Sequence, residues 1–89
     1  MSITAIFANS PFDEEVRIDC KMLKMNTRKD GEICVLPEFN NSIFEVDDSV
    51  IDIMTGDGTI HVKMLGSAIV RFKDNVLTCF GRFEKLDEK

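Results

Sequence analysis

Ala68-Ile69-Val70-Arg71-Phe72-Lys73-Asp74-Asn75-Val76-Leu77-Thr78-Cys79-Phe80 holds two apolar runs separated by two polar residues. Successive side chains of a strand point to opposite faces, so Ala68, Val70 and Phe72 fall on one side while Ile69, Arg71 and Lys73 fall on the other. Asp74-Asn75 is a two-residue turn, because Asn tolerates positive φ better than most residues and short hairpin loops demand it. Residues 76–80 return as a second strand. The segment is a β-hairpin, and the same pattern spreads outward from it. Ile60, Val62 and Met64 point one way, and Thr59, His61 and Lys63 the other. Gly56-Asp57-Gly58 forms the preceding turn, after a strand over 50–55. Gly66-Ser67-Ala68 is a run of small residues where backbones can approach closely.

Period two also governs the first half. Ile3, Ala5 and Phe7 alternate with Thr4, Ile6 and Ala8, which makes an opening strand apolar on both faces. Asn9-Ser10-Pro11 breaks it, since proline cannot donate to a ladder. Val16, Ile18, Cys20 and Met22 then share one face, opposite Arg17, Asp19 and Lys21. After Met22 the phase flips to Leu23 and Met25, the mark of a β-bulge. Residues 26–30 form a polar loop, left through Gly31. Residues 32–36 are a short apolar strand ended by Pro37, and 38–42 are polar apart from Phe39. No stretch of ten or more residues carries a helical period, and the charged tail 84–89 is too short for a stable helix. The expected fold class is all-β, a flattened antiparallel sandwich of short strands over residues 1–83, followed by the tail.

Composition sets further limits. The chain has 89 residues, Lys+Arg 11 against Asp+Glu 16, and net charge −5. Nucleic-acid binders concentrate positive charge against phosphates; this balance argues against that role. No apolar run approaches the ~20 residues of a membrane helix. Met1-Ser2-Ile3-Thr4 has neither a basic nor an apolar leader region, so a cytosolic chain is expected. Cys20, Cys34 and Cys79 are odd in number, form no C-x-x-C pair and sit in apolar runs. They read as small buried hydrophobes, with no disulfide or zinc framework.

Candidate chemistry is sparse. His61 is the sole imidazole, it falls on the face expected to meet solvent, and a triad would need a nucleophile and a carboxylate beside it. Cys34 lacks a nearby cation or helix N-terminus to lower its pKa, and its neighbours Ile33, Val35 and Leu36 place it in the core. The acidic pairs in Asp13-Glu14-Glu15 and Asp47-Asp48 point apart on a strand and read as solvated turns. Gly56-Asp57-Gly58 begins a G-x-G-x-x-G pattern that His61 interrupts. Asn40-Asn41-Ser42 fits a glycosylation sequon, meaningless without secretion. No catalytic residue, cofactor or metal is expected. The residues point to a binding or structural module.

Three segments add a family. Gly31-Glu32-Ile33-Cys34-Val35-Leu36-Pro37 resembles the G-E-[LI]-G-[IV]-[LY]-P-G-H element of the epsilon subunit of F-type ATP synthases, called delta in mitochondria. Met64-Leu65-Gly66-Ser67-Ala68-Ile69 is similar to that family's L-S-G-G-I segment, and Asn75-Val76-Leu77-Thr78-Cys79-Phe80 to its N-x-V-T-V-L strand. With the opening hairpin, the resemblance spans about residues 3–82 in order and spacing. Departures are Cys34 for the second glycine, Glu38 for the glycine after proline, Phe39 for the histidine, and Ser67-Ala68 for the double glycine.

The resemblance implies a non-catalytic rotor subunit that packs on gamma and rests on the c-ring at the cytoplasmic face of the membrane, coupling ion-driven rotation to ATP synthesis. The family's C-terminal two-helix domain, and the inhibition it exerts, is expected to be missing after Lys89. By position in the motif, Asp30, Gly31, Glu32, Pro37, Glu38, Phe39, Asn40 and Asn41 are the expected partner contacts. Glu32 is either a partner for a basic ring loop or an edge charge that discourages strand-on-strand pairing. Phe39 is either an exposed anchor or a core plug. A free-standing β-sandwich adaptor or small-ligand-binding module is the alternative.

Overall fold

Alternating burial shapes almost every element of the computed structural model, which describes residues 2–8 and 15–85. The strands are β1 (Ile3–Ala8), β2 (Val16–Cys20), β3 (Met22–Thr27), β4 (Gly31–Val35), β5 (Ser42–Asp47), β6 (Val50–Thr55), β7 (Gly58–Lys73) and β8 (Val76–Lys85). The described residues contain no helix, and the all-β expectation holds. The break at Asn9-Ser10-Pro11, the acidic Asp13-Glu14 and the last four residues of the tail lie outside the described residues. β5 is not among the expected strands. It forms because Phe44 and Val46 turn towards the core while Ile43 and Glu45 face out.

The hydrogen-bonded path runs β2-β1-β8-β7-β6-β3-β4, with β5 added to β7. β7 pairs β6 through its first half, from Thr55↔Gly58 to Val50↔Lys63, and β5 through its second, from Asp47↔Ser67 to Ser42↔Phe72. It therefore belongs to both layers of the sandwich. Phe7, Val46, Phe72 and Leu77 from one layer meet Leu23, Met25, Ile51 and Ile53 from the other in a single buried core. Each sheet on its own would leave one apolar face in water, and packing face to face removes both at once.

Several expectations change in detail. The strands are not all short. β7 runs unbroken through Gly66-Ser67-Ala68, and those three residues bulge against the single Gly81, between the pairs Leu65↔Arg82 and Ile69↔Phe80. The bulge bends β7 from one layer to the other, and both glycines take positive φ, +82° at Gly66 and +156° at Gly81. A Cβ on Gly81 would lie 2.8 Å from that of Ala68, so the close approach expected at the small residues is real. β8 runs on through Glu84 and Lys85, which pair with Lys63 and Val62, two residues into the segment expected as a tail. One pairing, β1 with β8, is parallel; the others are antiparallel.

The phase flip at Met22 has a different cause from the bulge expected there. β2 pairs β1, whereas β3 pairs β4 and β6. The chain steps between layers at Lys21, whose N–H donates to the Met54 carbonyl at 2.8 Å. Crossing to the facing sheet inverts which side of the strand is core. Cys34 also reverses its expectation: Val35 takes the inward parity of β4, so the thiol points outward and is exposed. Cys20 and Cys79 are buried, as expected.

Candidate partner-binding surface

Asp30, Gly31 and Glu32 sit where β3 turns into β4, all three exposed. Thr27 closes this turn from within, its hydroxyl donating to the Gly31 carbonyl and accepting the Asp30 N–H, both at 3.0 Å. Gly31 takes φ +74°, which is why the turn leaves through glycine. Arg28 fastens the turn to the opposite layer. Its N–H donates to the Glu45 carbonyl at 2.8 Å, and its guanidinium grips the Asp47 carboxylate through Nε at 2.8 Å and Nη2 at 2.7 Å. Ser67 donates to the same carboxylate at 2.7 Å. The Ser67 hydroxyl first, and the Arg28 fork second, hold the Asp47 carboxyl below its usual range. The Asp47 hydrogen bond and charge, with Glu45 behind them, raise Arg28 in turn.

Pro37, Glu38, Phe39, Asn40 and Asn41 lie at the other end of β4, in the loop that leads to β5. The Phe39 N–H donates to the Leu36 carbonyl at 3.1 Å. Proline at the second position and φ +67° at Glu38 give this tetrapeptide the features of a type II turn, whose third position usually requires glycine. A glutamate thus holds a backbone position that glycine usually fills. Phe39 is half-buried, its ring centroid 6.1 Å from that of Phe44 and 6.0 Å from that of Phe72. That packing favours the plug over the exposed anchor. The loop is stitched to the β7–β8 turn, where Asp74 and Asn75 take φ +52° and +63° as a two-residue hairpin turn should. Glu38 N–H donates to Asn75 Oδ1 at 2.6 Å, and Asp74 N–H to Asn41 Oδ1 at 3.3 Å.

The eight expected contacts therefore form two groups. At roughly 3.3 Å per residue, the strand between them separates the groups by about 16 Å. Both border β4, which is an end strand of the hydrogen-bonded path.

A third feature has no counterpart among the expected site residues. Ile43, Ile69, Val76 and Phe80 are exposed on the outer face of the layer that contains β5, β8 and β1, with Ile43 at 69% and Phe80 at 51%. Register aligns Glu45, Ile69, Phe80 and Ala8 in one row, and Ile43, Arg71, Thr78 and Ile6 in the next. An apolar middle crossed by Arg71 and bordered by Glu45 results. The signal in the sequence is the out-of-phase apolar residue: Ile69 and Phe80 occupy positions that alternation assigns to water.

His61 and Cys34 are not brought together. His61 is half-buried, and Asp52, directly opposite on β6, brings Oδ1 to 2.7 Å from its Nδ1. The imidazole thus has the carboxylate that the sequence did not reveal. Cys34 lies in the same row, but Lys24 and Asp52 stand between them. Three strand spacings of roughly 4.8 Å put about 14 Å between thiol and ring, too far for a dyad. The Cys34 Sγ instead meets the Met22 Sδ at 3.8 Å. Among the described residues no group of three or more His, Cys, Asp or Glu is arranged to hold a metal ion. Two shallow grooves flank the loop end. One of about 400 Å³ is lined by Ile43, Arg71 and Lys73 among others, and one of about 390 Å³ by Glu38, Asp74 and Asn75 among others.

No known protein family matches the sequence, and no curated protein matches it. A solved structure does match in fold. It is a chain of the mitochondrial ATP synthase of Euglena gracilis, determined by cryo-electron microscopy as the OSCP/F1/c-ring assembly in rotational state 1, with TM-score 0.82 and 14% identity. The match covers 99% of this chain and 56% of that one, so the chain spans little more than half the length of the protein it resembles.

Proposed function

We propose that this chain is the β-sandwich rotor component of an F-type ATP synthase, an epsilon-type subunit that joins gamma to the c-ring and catalyses nothing itself. The observation that carries the reading is the fold likeness to a chain of such a complex over almost the whole length of this one. The family motifs at 31–37, 64–69 and 75–80 support it independently. The exposed face of Ile43, Ile69, Val76 and Phe80 suits the gamma contact, since stable interfaces bury an apolar centre within a polar rim. The β4 edge, from Asp30 to Asn41, suits the ring. A patch of about 800 Å² per partner is wide enough to take both groups at once. In this arrangement the protein sits on the cytoplasmic side of the membrane, touching it only through the ring.

Co-expression with gamma and ring subunits, followed by affinity capture, tests the reading. The wild-type chain is expected to retain both, Phe80→Asp to lose gamma without loss of fold by circular dichroism, and Glu32→Lys to weaken the ring contact. Failure of the wild-type chain to retain either partner sinks the proposal. Unchanged ion-coupled ATPase activity with Glu32→Lys removes only the role given to Glu32.

A further inference from the structure

We infer that Asn75 is the positioning residue of the 36–41 loop, and the junction through which a push on that loop enters the sheet. The inference rests on the reading of that loop as a partner contact. Asn75 touches three segments at once. Its side-chain oxygen accepts the Glu38 N–H at 2.6 Å, while its backbone carbonyl accepts the Thr4 N–H at 3.0 Å, and its own backbone closes the β7–β8 turn. The reciprocal bond from Asp74 N–H to Asn41 Oδ1 crosses the same gap.

The loop needs such a support. Glu38 sits at φ +67°, a conformation that an L-residue with a Cβ adopts only when its surroundings hold it there. Beneath the loop the Phe39 ring is anchored on Phe44 and Phe72. Above it, the amide of the strained residue itself ends on Asn75. A two-residue turn between two paired strands has little freedom of its own, so Asn75 is a fixed point and the loop is what it fixes. The residue type is demanded twice. Asparagine tolerates φ +63° and also carries an acceptor at the right reach. Glycine would satisfy the first requirement alone, and aspartate keeps the acceptor.

That difference gives the test, made on the full chain. In Asn75→Gly the turn is retained and only the acceptor is lost. By hydrogen exchange, the Glu38 amide is expected to exchange about tenfold faster than in the wild type, the size of one typical hydrogen bond. The Thr4 amide, which ends on the backbone of residue 75, is expected to keep its rate, and Asn75→Asp to keep Glu38 protected. Unchanged Glu38 exchange in Asn75→Gly overturns the inference. So does equal acceleration at Thr4, which would assign the effect to the turn as a whole. Capture by ring subunits supplies the functional arm: Asn75→Gly is expected to weaken it several-fold and Asn75→Asp to spare it. Faster Glu38 exchange with unaltered capture confirms the positioning role and instead refutes the loop as a ring contact.

Discussion

Gly81→Ala is the substitution that best tests how the bent strand pair is built. The added Cβ would lie 2.8 Å from the Cβ of Ala68 and 3.3 Å from its Cα. Neither atom belongs to a flexible side-chain end, so the backbones must part, at a cost of about 1–3 kcal/mol for overpacking. Residue 81 also holds φ +156°, where an L-residue is strained by about 1–3 kcal/mol. Together these put the loss near ~3 kcal/mol, a large share of the ~4–13 kcal/mol that a domain of this length typically has. Urea unfolding followed by far-ultraviolet circular dichroism reads it directly. With a slope of about 1 kcal/mol/M, the midpoint should fall by about 3 M. Ala68→Gly in the same chain removes the obstructing Cβ and should recover about 1–2 kcal/mol as coupling in a double-mutant cycle. A Gly81→Ala midpoint within 0.5 M of wild type (~0.5 kcal/mol at that slope) refutes the close approach and the strain together; a large loss with no coupling refutes the close approach alone.

Glu38→Gly should stabilise the chain by about 0.5–1 kcal/mol, because relief of the left-handed strain exceeds the extra entropy that glycine loses on folding; a lower urea midpoint would contradict the turn described at Pro37–Glu38. Cys34 should be the one described thiol that reacts quickly with a maleimide in the native state. Burial, followed by the Asp19 charge, pushes Cys20 up to about 11, and burial pushes Cys79 up as well, so both should wait for unfolding; native labelling at more than one site by mass spectrometry would count against this core. The Asp47 carboxyl is lowered in the folded chain, so its contribution is present above the unfolded carboxylate pKa and lost as pH falls through the lowered folded value. Asp47→Asn should therefore flatten the acid limb of stability against pH, and 1 M salt should shrink the difference, since the pair is exposed. An acid limb unchanged by the substitution would remove the Arg28 clasp from the account.

Most of the fold was legible because alternation is a local property. Val62, Met64, Val70 and Phe72 declare their burial within their own strand, and Asp74-Asn75 declares a turn within two residues. What a single strand does not carry is its partner. The parallel seat of β1 beside β8 joins residues more than seventy positions apart, and no local pattern announces it. The flip at Met22 was visible, yet a bulge and a change of layer write the same signature, and only the pairing of β2 and β3 with different neighbours separates them. Cys34 has apolar neighbours on both sides, yet in this end strand its parity, opposite to that of Val35, turns it outward. The site was less legible still. Asn75 could be seen as a turn residue, but its bond to Glu38 depends on two loops meeting across the sheet.

The seat of β1 beside β8 also governs how the molecule comes into being. A nascent chain releases β1 and β2 well before β8, and until then the two can do no more than form an isolated hairpin, marginal in water. Their permanent neighbour, β8, lies about seventy residues further along the chain. The apolar interior beside β1 thus stays unclosed until β8 is made, and folding is slow in the manner of topologies dominated by distant pairings. A chain cut short before Val76 would leave β1 without β8, an open edge ready to recruit other copies.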